Sequence, residues 1–73
     1  MIRVDMEKTG DNIKRLRQMK SIKVEEVAVQ CGFQNPQSVY KWERGATLPS
    51  IDSLVILSRI LDTKIDDILV CDD

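Results

Sequence analysis

The apolar positions of the chain recur mainly at spacings of three, four and seven, which is the pattern of amphipathic helices. The first such stripe consists of Met6, Ile13, Leu16 and Met19. It predicts a helix from about Met6 to Met19, and Asp5 stands where it can cap the start of that helix. Because Gly10 costs about 1 kcal/mol relative to alanine within a helix, we expect the first turn to fray or the helix to begin later.

Two shorter helices are predicted on either side of a turn around Gly32. The second helix fits about Val24 to Cys31, with two glutamates in its first turn, where the helix dipole favours acidic side chains. Asn35-Pro36 favours the start of a third helix, because asparagine accepts from free backbone donors and proline has no donor to satisfy. The third helix is predicted from about Pro36 to Arg44. Its inward-facing residues are Val39 and Trp42.

A fourth helix is predicted after Ser50, which can cap it, and its apolar residues are so closely spaced that they cover most of its circumference. These residues are Ile51, Leu54, Val55, Leu57, Ile60 and Leu61. We therefore expect the fourth helix to be the central, buried one. After a turn at 62–64, a last short helix is predicted from Ile65, Ile68 and Leu69. The alternation of apolar residues over 1–6 is compatible with a small strand, and no other sheet is expected.

The composition is that of a small globular protein. A chain of 73 residues with 42% hydrophobic and 32% charged residues supports one core and a soluble surface. We expect a single domain over 1–73, with its core at about 6–69, a short N-terminal extension and an acidic C-terminal tail. No stretch reaches the ~18 apolar residues of a membrane span, and the N-terminus lacks the apolar run of a signal peptide. We therefore expect a cytoplasmic protein without a membrane partner.

The residue types of the chain argue against several kinds of chemistry. There is no histidine, and the two cysteines lie far apart, so a zinc site and Ser–His or Cys–His catalysis lack their usual residues. We interpret Cys31 as a small core residue. The acidic pairs at 66–67 and 72–73 are interpreted as helix-start charges and a solvated tail rather than as a metal site. The sequence predicts neither an enzyme nor a bound metal or cofactor.

The net charge of −1 argues, taken alone, against nucleic acid, because Lys and Arg residues that neutralise phosphates supply most non-specific affinity. The charges are unevenly distributed, however. Residues 1–44 hold nine Lys/Arg against six Asp/Glu, whereas residues 45–73 hold two against six. The first part of the chain can therefore face an anion, although this asymmetry is a weak signal on its own.

Four segments carry a resemblance to a known family. They are Val24-Glu25-Glu26-Val27-Ala28, Cys31-Gly32-Phe33, Gln37-Ser38-Val39-Tyr40-Lys41-Trp42-Glu43-Arg44-Gly45 and Leu48-Pro49-Ser50-Ile51. Together they resemble the Cro/phage-repressor-type (XRE) helix-turn-helix family, and the similarity runs from about Gly10 to Leu69. The resemblance implies an all-α, compact five-helix domain of the lambda-repressor type, from a bacterial or phage regulator. Its helix-turn-helix would be formed by the second and third helices, and the third would enter the major groove of DNA.

The resemblance also implies roles for individual residues. Its base-reading positions match Gln37, Ser38, Tyr40 and Lys41, since glutamine can pair with adenine and lysine with guanine. Its positions for binding the sugar-phosphate backbone match Lys23, Asn35 and Arg44. Arg17 and Glu43 match an ion pair between the first and third helices, the alternative being that Arg17 binds phosphate directly. Trp42 is interpreted as a core residue rather than as a stacking platform.

Two features depart from the family pattern. Val24 stands where the family usually has a glutamine that contacts phosphate, and valine cannot donate a hydrogen bond. The turn Phe33-Gln34-Asn35 is one residue longer than the commonest pattern, which changes where the third helix begins relative to other members. The base met by each side chain does not therefore follow from the resemblance.

The sequence therefore predicts a sequence-specific DNA-binding transcriptional regulator that reads a major groove with helix 36–44. We expect a repressor, because so small a chain offers little surface for recruiting polymerase. Its predicted partner is double-stranded DNA that contains a palindromic operator. We expect a homodimer to bind this operator, and many domains of this kind dimerise only on DNA. The predicted dimer interface is C-terminal and includes the fourth helix. The alternative is an antitoxin or protein-interaction module that docks another protein through its acidic end, 62–73.

Overall fold

The computed structural model describes residues 1–72, which form five helices and a small two-stranded sheet. In chain order the elements are β1 (Arg3–Val4), α1 (Met6–Met19), α2 (Val24–Gln30), α3 (Gln37–Glu43), α4 (Ile51–Ile60), α5 (Ile65–Ile68) and β2 (Cys71–Asp72). The prediction of a five-helix, essentially all-α fold is confirmed. None of the helices within residues 1–72 combines the length and apolar character needed to cross a membrane.

Three side chains begin helices where the sequence predicted them. The Asp5 carboxylate accepts a hydrogen bond from the Lys8 backbone N–H at 2.8 Å, and the Ser50 hydroxyl accepts one from the Ser53 N–H at 3.2 Å. These bonds satisfy backbone donors that have no partner in the first turn of a helix. The amide oxygen of Asn35 accepts from the N–H of the first residue of α3 at 3.1 Å. Helix α3 begins one residue later than predicted, so Pro36 is the residue before the helix rather than its first residue.

The prediction of a frayed or delayed start to α1 is wrong, because the helix begins at Met6 and Gly10 lies within it. A Cβ atom added to Gly10 would overlap the backbone carbonyl oxygen of Trp42 and lie 2.8 Å from that of Glu43. Only a residue without a side chain lets the two helix backbones approach this closely. Glycine therefore weakens the local helix but permits the contact that holds α3 against α1.

The apolar stripe predicted for α1 also needs correction at both ends. Ile13 is buried, but Met19 is 69% exposed and Met6 is exposed as well. The buried surface of the helix instead passes through Thr9, Gly10 and Ile13. This happens because α1 meets its neighbours through small and polar residues as well as through apolar ones.

The core lies among all five helices and consists of nine buried apolar residues. They are Ile13, Val24, Val27, Ala28, Val39, Trp42, Leu57, Leu61 and Ile68. Trp42 is 4% exposed, and the Phe33 ring meets its ring edge-on at a centroid distance of 5.8 Å. The interpretation of Trp42 as a core residue agrees with this position.

Helix α4 is not the central, buried helix that its apolar circumference predicted. Within it only Ser53 and Leu57 are buried, and Leu61 continues the same face just beyond its end. These residues recur every four positions, so the helix touches the core along one face only. Ile51, on the opposite side, is 80% exposed. The prediction failed because apolar residues around a helix do not establish that neighbours cover it on every side.

The two ends of the described chain are tied together, which the sequence did not predict. β1 pairs with β2 in antiparallel register, with Arg3 opposite Asp72 and Val4 opposite Cys71. The Asp5 N–H donates to the carbonyl of the residue before β2 at 2.7 Å. A small strand, with which the alternation over 1–6 is compatible, is therefore present. The C-terminal tail was expected to be solvated, but its residue Asp72 pairs with this strand. Asp73, part of the predicted acidic tail, lies outside the described residues.

Candidate nucleic-acid interface

The turn between α2 and α3 is stabilised by backbone hydrogen bonds at the end of α2. Gly32 adopts the left-handed conformation, with φ of +78°, which favours glycine. Its N–H donates to the Val29 carbonyl at 3.0 Å, and the Phe33 N–H donates to the Ala28 carbonyl at 2.9 Å. These bonds satisfy carbonyls that the end of a helix leaves free. They direct the chain away from α2 toward the start of α3.

Helix α3 has one face in the core and the opposite face in water. Its buried residues are Val39, Trp42 and Glu43. The other face is formed by Gln37, Lys41 and Arg44, which follow one another at spacings of four and three and are all exposed. The side chains that could enter a groove therefore project together from a helix whose other side is immobilised by packing.

Two further residues predicted to read bases lie at the sides of this exposed face. Tyr40 is exposed and also lines the cleft between α3 and α1. Ser38 is half-buried, so its hydroxyl is less accessible than the other predicted base-reading groups. The four candidates are therefore not equivalent, and Gln37 and Lys41 project most directly from the helix.

An open cleft of about 620 Å³ separates α1 from the exposed side of α3. Its lining includes Arg44, which directly follows α3, and Lys14 from α1, together with Gln37 and Asp11. Lys14 was not among the residues predicted for the site. The available signal was its position three residues before Arg17, which puts it on the same side of the helix. Lys14 of α1 and Arg44 at the end of α3 thus line the same cleft.

Arg17 and Glu43, the two residues expected to pair, lie in contact beneath this cleft. The Arg17 Nε donates to one Glu43 carboxylate oxygen at 2.6 Å, and Nη2 donates to the other at 3.0 Å. The side chains are only 12% and 7% exposed, and the bond to Glu43 raises the pKa of Arg17. Nη1 donates to the Ile22 carbonyl at 2.9 Å. These bonds engage all three guanidinium nitrogens within the protein, so the geometry favours a structural pair over direct phosphate binding.

The residues expected to bind the sugar-phosphate backbone stand at helix ends. Lys23 precedes α2 and Arg44 follows α3, and both are exposed. Asn35 is exposed too, but its amide oxygen already caps α3, so only its NH₂ group remains to donate. Val24, which replaces the usual glutamine, is buried and lines the floor of the cleft. It contributes packing at this point rather than a polar contact.

Within residues 1–72 no three or more His, Cys, Asp or Glu residues are grouped so as to hold a metal ion. Cys31 is half-buried, and burial raises the pKa of its thiol. The protonated thiol is a poor nucleophile.

Comparison with known proteins agrees with this geometry. A family model described as helix-turn-helix (HTH_3) matches residues 13–68, which is most of the chain. The protein therefore belongs to the XRE-type helix-turn-helix family, and it is a DNA-binding transcriptional regulator. The sequence-based predictions of family, fold class and regulatory function are confirmed, and the alternative of an antitoxin or protein-interaction module is not favoured.

One similar solved structure is that of the restriction-modification controller protein C.AhdI from Aeromonas hydrophila. Its TM-score is 0.77 at 26% sequence identity, over 88% of this chain and 96% of that chain. A search of curated protein sequences finds no match. The likeness thus extends over nearly the whole of a small regulator.

Proposed function

We propose that this regulator occupies a palindromic operator as a homodimer in the cytoplasm and represses transcription there, with α3 of each protomer in a major groove. The main support for this proposal is that α3 has one buried side and one exposed side, and that the exposed side presents Gln37, Lys41 and Arg44. A helix held in this way can enter the major groove while its buried side stays packed on the core.

Base reading is assigned to the first two turns of α3. The Gln37 amide can donate to and accept from adenine N7 and N6, and the Lys41 ammonium can donate to guanine O6 and N7. Because these residues are four apart on one helix face, both can lie in the groove at once. Tyr40 and Ser38 are assigned contacts at the edges of the same groove, with a thymine methyl or phosphate as the target of Tyr40.

Binding of the DNA backbone is assigned to the cations around that face. Lys23 and Arg44 at the helix ends, the NH₂ group of Asn35 and Lys14 across the cleft can each donate to phosphate oxygens. These contacts would position the domain without selecting a base pair. The net charge of −1 does not oppose this assignment, because nine of the eleven Lys and Arg residues lie in 1–44, the part of the chain that contains α1, α2 and α3.

Dimer formation is assigned to the outer face of α4, which carries exposed apolar residues. Ile51 and Val55 lie there, with Asp52 and Arg59 on either side of Val55 along the helix. Two such helices in antiparallel contact would place each Asp52 near the other protomer's Arg59, which is a self-complementary arrangement. Ile68 of α5 is buried in the core and is therefore not part of this interface.

The experiment that tests this function is selection of bound sequences from a random DNA pool. We expect an enriched palindrome with half-sites about 34 Å apart, one helical turn of DNA. The similarity to a restriction-modification controller makes the promoter of such an operon the first natural fragment to test. An enriched site without two-fold symmetry would contradict the homodimer, and the absence of enrichment would contradict sequence-specific binding.

Substitution of Gln37 separates base reading from general affinity. Gln37→Ala should weaken operator binding by about 1–3 kcal/mol and relax the preference at one base pair, while binding to random DNA changes little. Gln18→Ala, an exposed glutamine on α1, is the matched control and should leave both affinities unchanged. Unchanged sequence preference in the Gln37 variant would mean that another face of α3 enters the groove.

Substitution of the backbone-binding cations should have the opposite signature. Lys23→Ala, Lys14→Ala and Arg44→Ala should each weaken binding to operator and random DNA alike, and lower the salt-dependence slope by about one per DNA-bound chain. Lys64→Ala serves as a control, because that exposed lysine lies at the start of α5. Titrations at several salt concentrations measure the slope, and a Lys14 variant with the parental slope would remove that residue from the interface.

A further inference from the structure

A second concave surface lies between α2 and α4 and shares no lining residue with the cleft beside α3. This apolar groove has a volume of about 430 Å³. We call its apolar lining residues, Ile22, Val29 and Ile60, the floor, and its polar lining residues, Glu25, Glu26 and Gln30, the rim. The DNA-binding residues assigned above leave this surface unoccupied.

Val29 is the residue that makes the groove unusual. It occupies the middle of the outward side of α2 and is 70% exposed, so it contributes little to the core. A single exposed valine is ordinary, but here it is continuous with two half-buried isoleucines on one concave surface. Removing such a surface from water is favourable and provides a reason for a partner to bind there.

The charges around the groove define the partner. Glu25 and Glu26 are exposed on its rim, and no Lys or Arg lines it. An acidic rim repels DNA phosphates. A second copy of this chain docked about a two-fold axis would bring the two acidic rims together, which like charges disfavour. The complementary occupant carries apolar residues for the floor and basic residues for the rim.

We propose that the groove docks a basic amphipathic helix of another protein. Its apolar residues would lie on Ile22, Val29 and Ile60, and its Lys or Arg side chains would pair with Glu25 and Glu26, as amphipathic helices do in apolar grooves. The rim directly follows Lys23, which is assigned to the DNA backbone. A protein bound there lies beside the DNA without displacing α3, so the regulator can hold DNA and this partner together.

The proposal is tested with two synthetic helical peptides that have the same leucine stripe, one with lysines and one with glutamates beside it. We expect the labelled lysine peptide to bind saturably in fluorescence anisotropy, and the glutamate peptide to bind at least about tenfold more weakly. Val29→Ser should weaken the lysine peptide about tenfold, because one valine contact with the peptide is lost. The matched control is Val4→Ser, at an exposed valine of β1, which should leave peptide binding unchanged.

The electrostatic part is tested by the double variant Glu25→Gln, Glu26→Gln against the equally charged control Glu7→Gln, Asp66→Asn, two exposed acids outside the groove. Only the Glu25/Glu26 double variant should bind the lysine peptide more weakly and with a smaller dependence of the affinity on salt. This arm also covers the case in which the valine variant fails to fold. Both groove variants should keep their affinity for operator DNA within about twofold, apart from any general effect of charge.

Several results would overturn the proposal. They are the absence of saturable binding, equal binding of the two peptides, and equal losses in the groove variants and their controls. A Val29→Ser protein that becomes monomeric in sedimentation would assign the groove to a second copy of this chain instead. Failure of the DNA selection described above would leave these peptide results intact, so the two proposals are judged separately.

Discussion

Helix α1 is held to its two neighbours by different physical means. Toward α3, the contact is close, because Gly10 lies directly against the backbone carbonyls of Trp42 and Glu43. A buried ion pair between Arg17 and Glu43 adds two charge-assisted hydrogen bonds to the same contact. Position and orientation of α3 are both constrained there.

Toward the C-terminal segment, α1 uses polar side chains that bind main-chain groups. The Thr9 hydroxyl accepts from the Val70 N–H at 2.9 Å. The Asn12 NH₂ group donates to the carbonyls of Asp67 and Ile68 at 2.8 and 2.9 Å. These bonds attach the end of the chain and do not touch α3. The comparison predicts that the first contact governs how α3 is presented, whereas the second affects stability alone.

The largest effect is expected from Gly10→Ala. The added methyl group meets backbone carbonyls, which cannot rotate aside, so we expect a loss of about 3 kcal/mol, at the upper end of the usual cost of overpacking. At an exposed helix position, the same change from glycine to alanine would instead stabilise the protein by up to about 1 kcal/mol. Chemical denaturation therefore distinguishes the two environments by sign. A variant more stable than the parent would contradict the close approach of α1 and α3.

The ion pair should give the next largest effect. Arg17→Ala and Glu43→Ala should each cost about 2–3 kcal/mol, because each leaves a charge without its partner at a site that is nearly but not completely buried. Arg17→Lys should restore little, since lysine cannot make the bidentate contact. Unfolding free energies of the single and double alanine variants give the coupling, and operator affinity should fall with it. Additive single effects would mean that the two residues do not interact.

A smaller effect, confined to stability, is expected on the other side of α1. Thr9→Val keeps the shape of the side chain but leaves the Val70 N–H without its acceptor, at a cost of about 1–2 kcal/mol. Operator affinity, measured well below the melting temperature, should not change. Thr47→Val, at an exposed threonine, is the control. A Thr9 variant that loses operator affinity would show that the C-terminal contact also positions α3.

The smallest effect concerns the cap of α1 and depends on pH. The hydrogen bond from the Lys8 N–H lowers the pKa of Asp5 below its ordinary value of 3.8. The stability from this carboxylate is therefore present above pH 3.8 and is lost as the pH falls through the lower pKa of the folded state. Melting temperatures of the parent and Asp5→Asn should differ at neutral pH and converge in acid. A difference that stays constant with pH would contradict the role of the charge.

Interactions between residues that are close together in the sequence could be predicted from the sequence alone. The caps at Asp5, Asn35 and Ser50 satisfy donors two or three positions away, so the chain order contains the whole interaction. Gly32 ends α2 for an equally local reason. The candidate site was placed on α3 by the family resemblance, which supplied long-range information that periodicity lacks.

The remaining features depend on which surfaces meet in space. Apolar spacing established that α4 is a helix but not that Ile51 would stay in water, since its periodicity carries no record of where neighbours lie. Gly10 looked like a local weakness because its benefit comes from backbone more than thirty residues away along the chain. Lys14 lines the cleft beside α3 only because α1 and α3 are in contact. The sequence by itself thus determined the helices, their ends and the family, because these follow from neighbouring residues or from recognisable motifs. Only the tertiary structure decided which helix faces are covered, how α3 is presented and how the two ends of the chain pair, because these follow from close packing between distant segments.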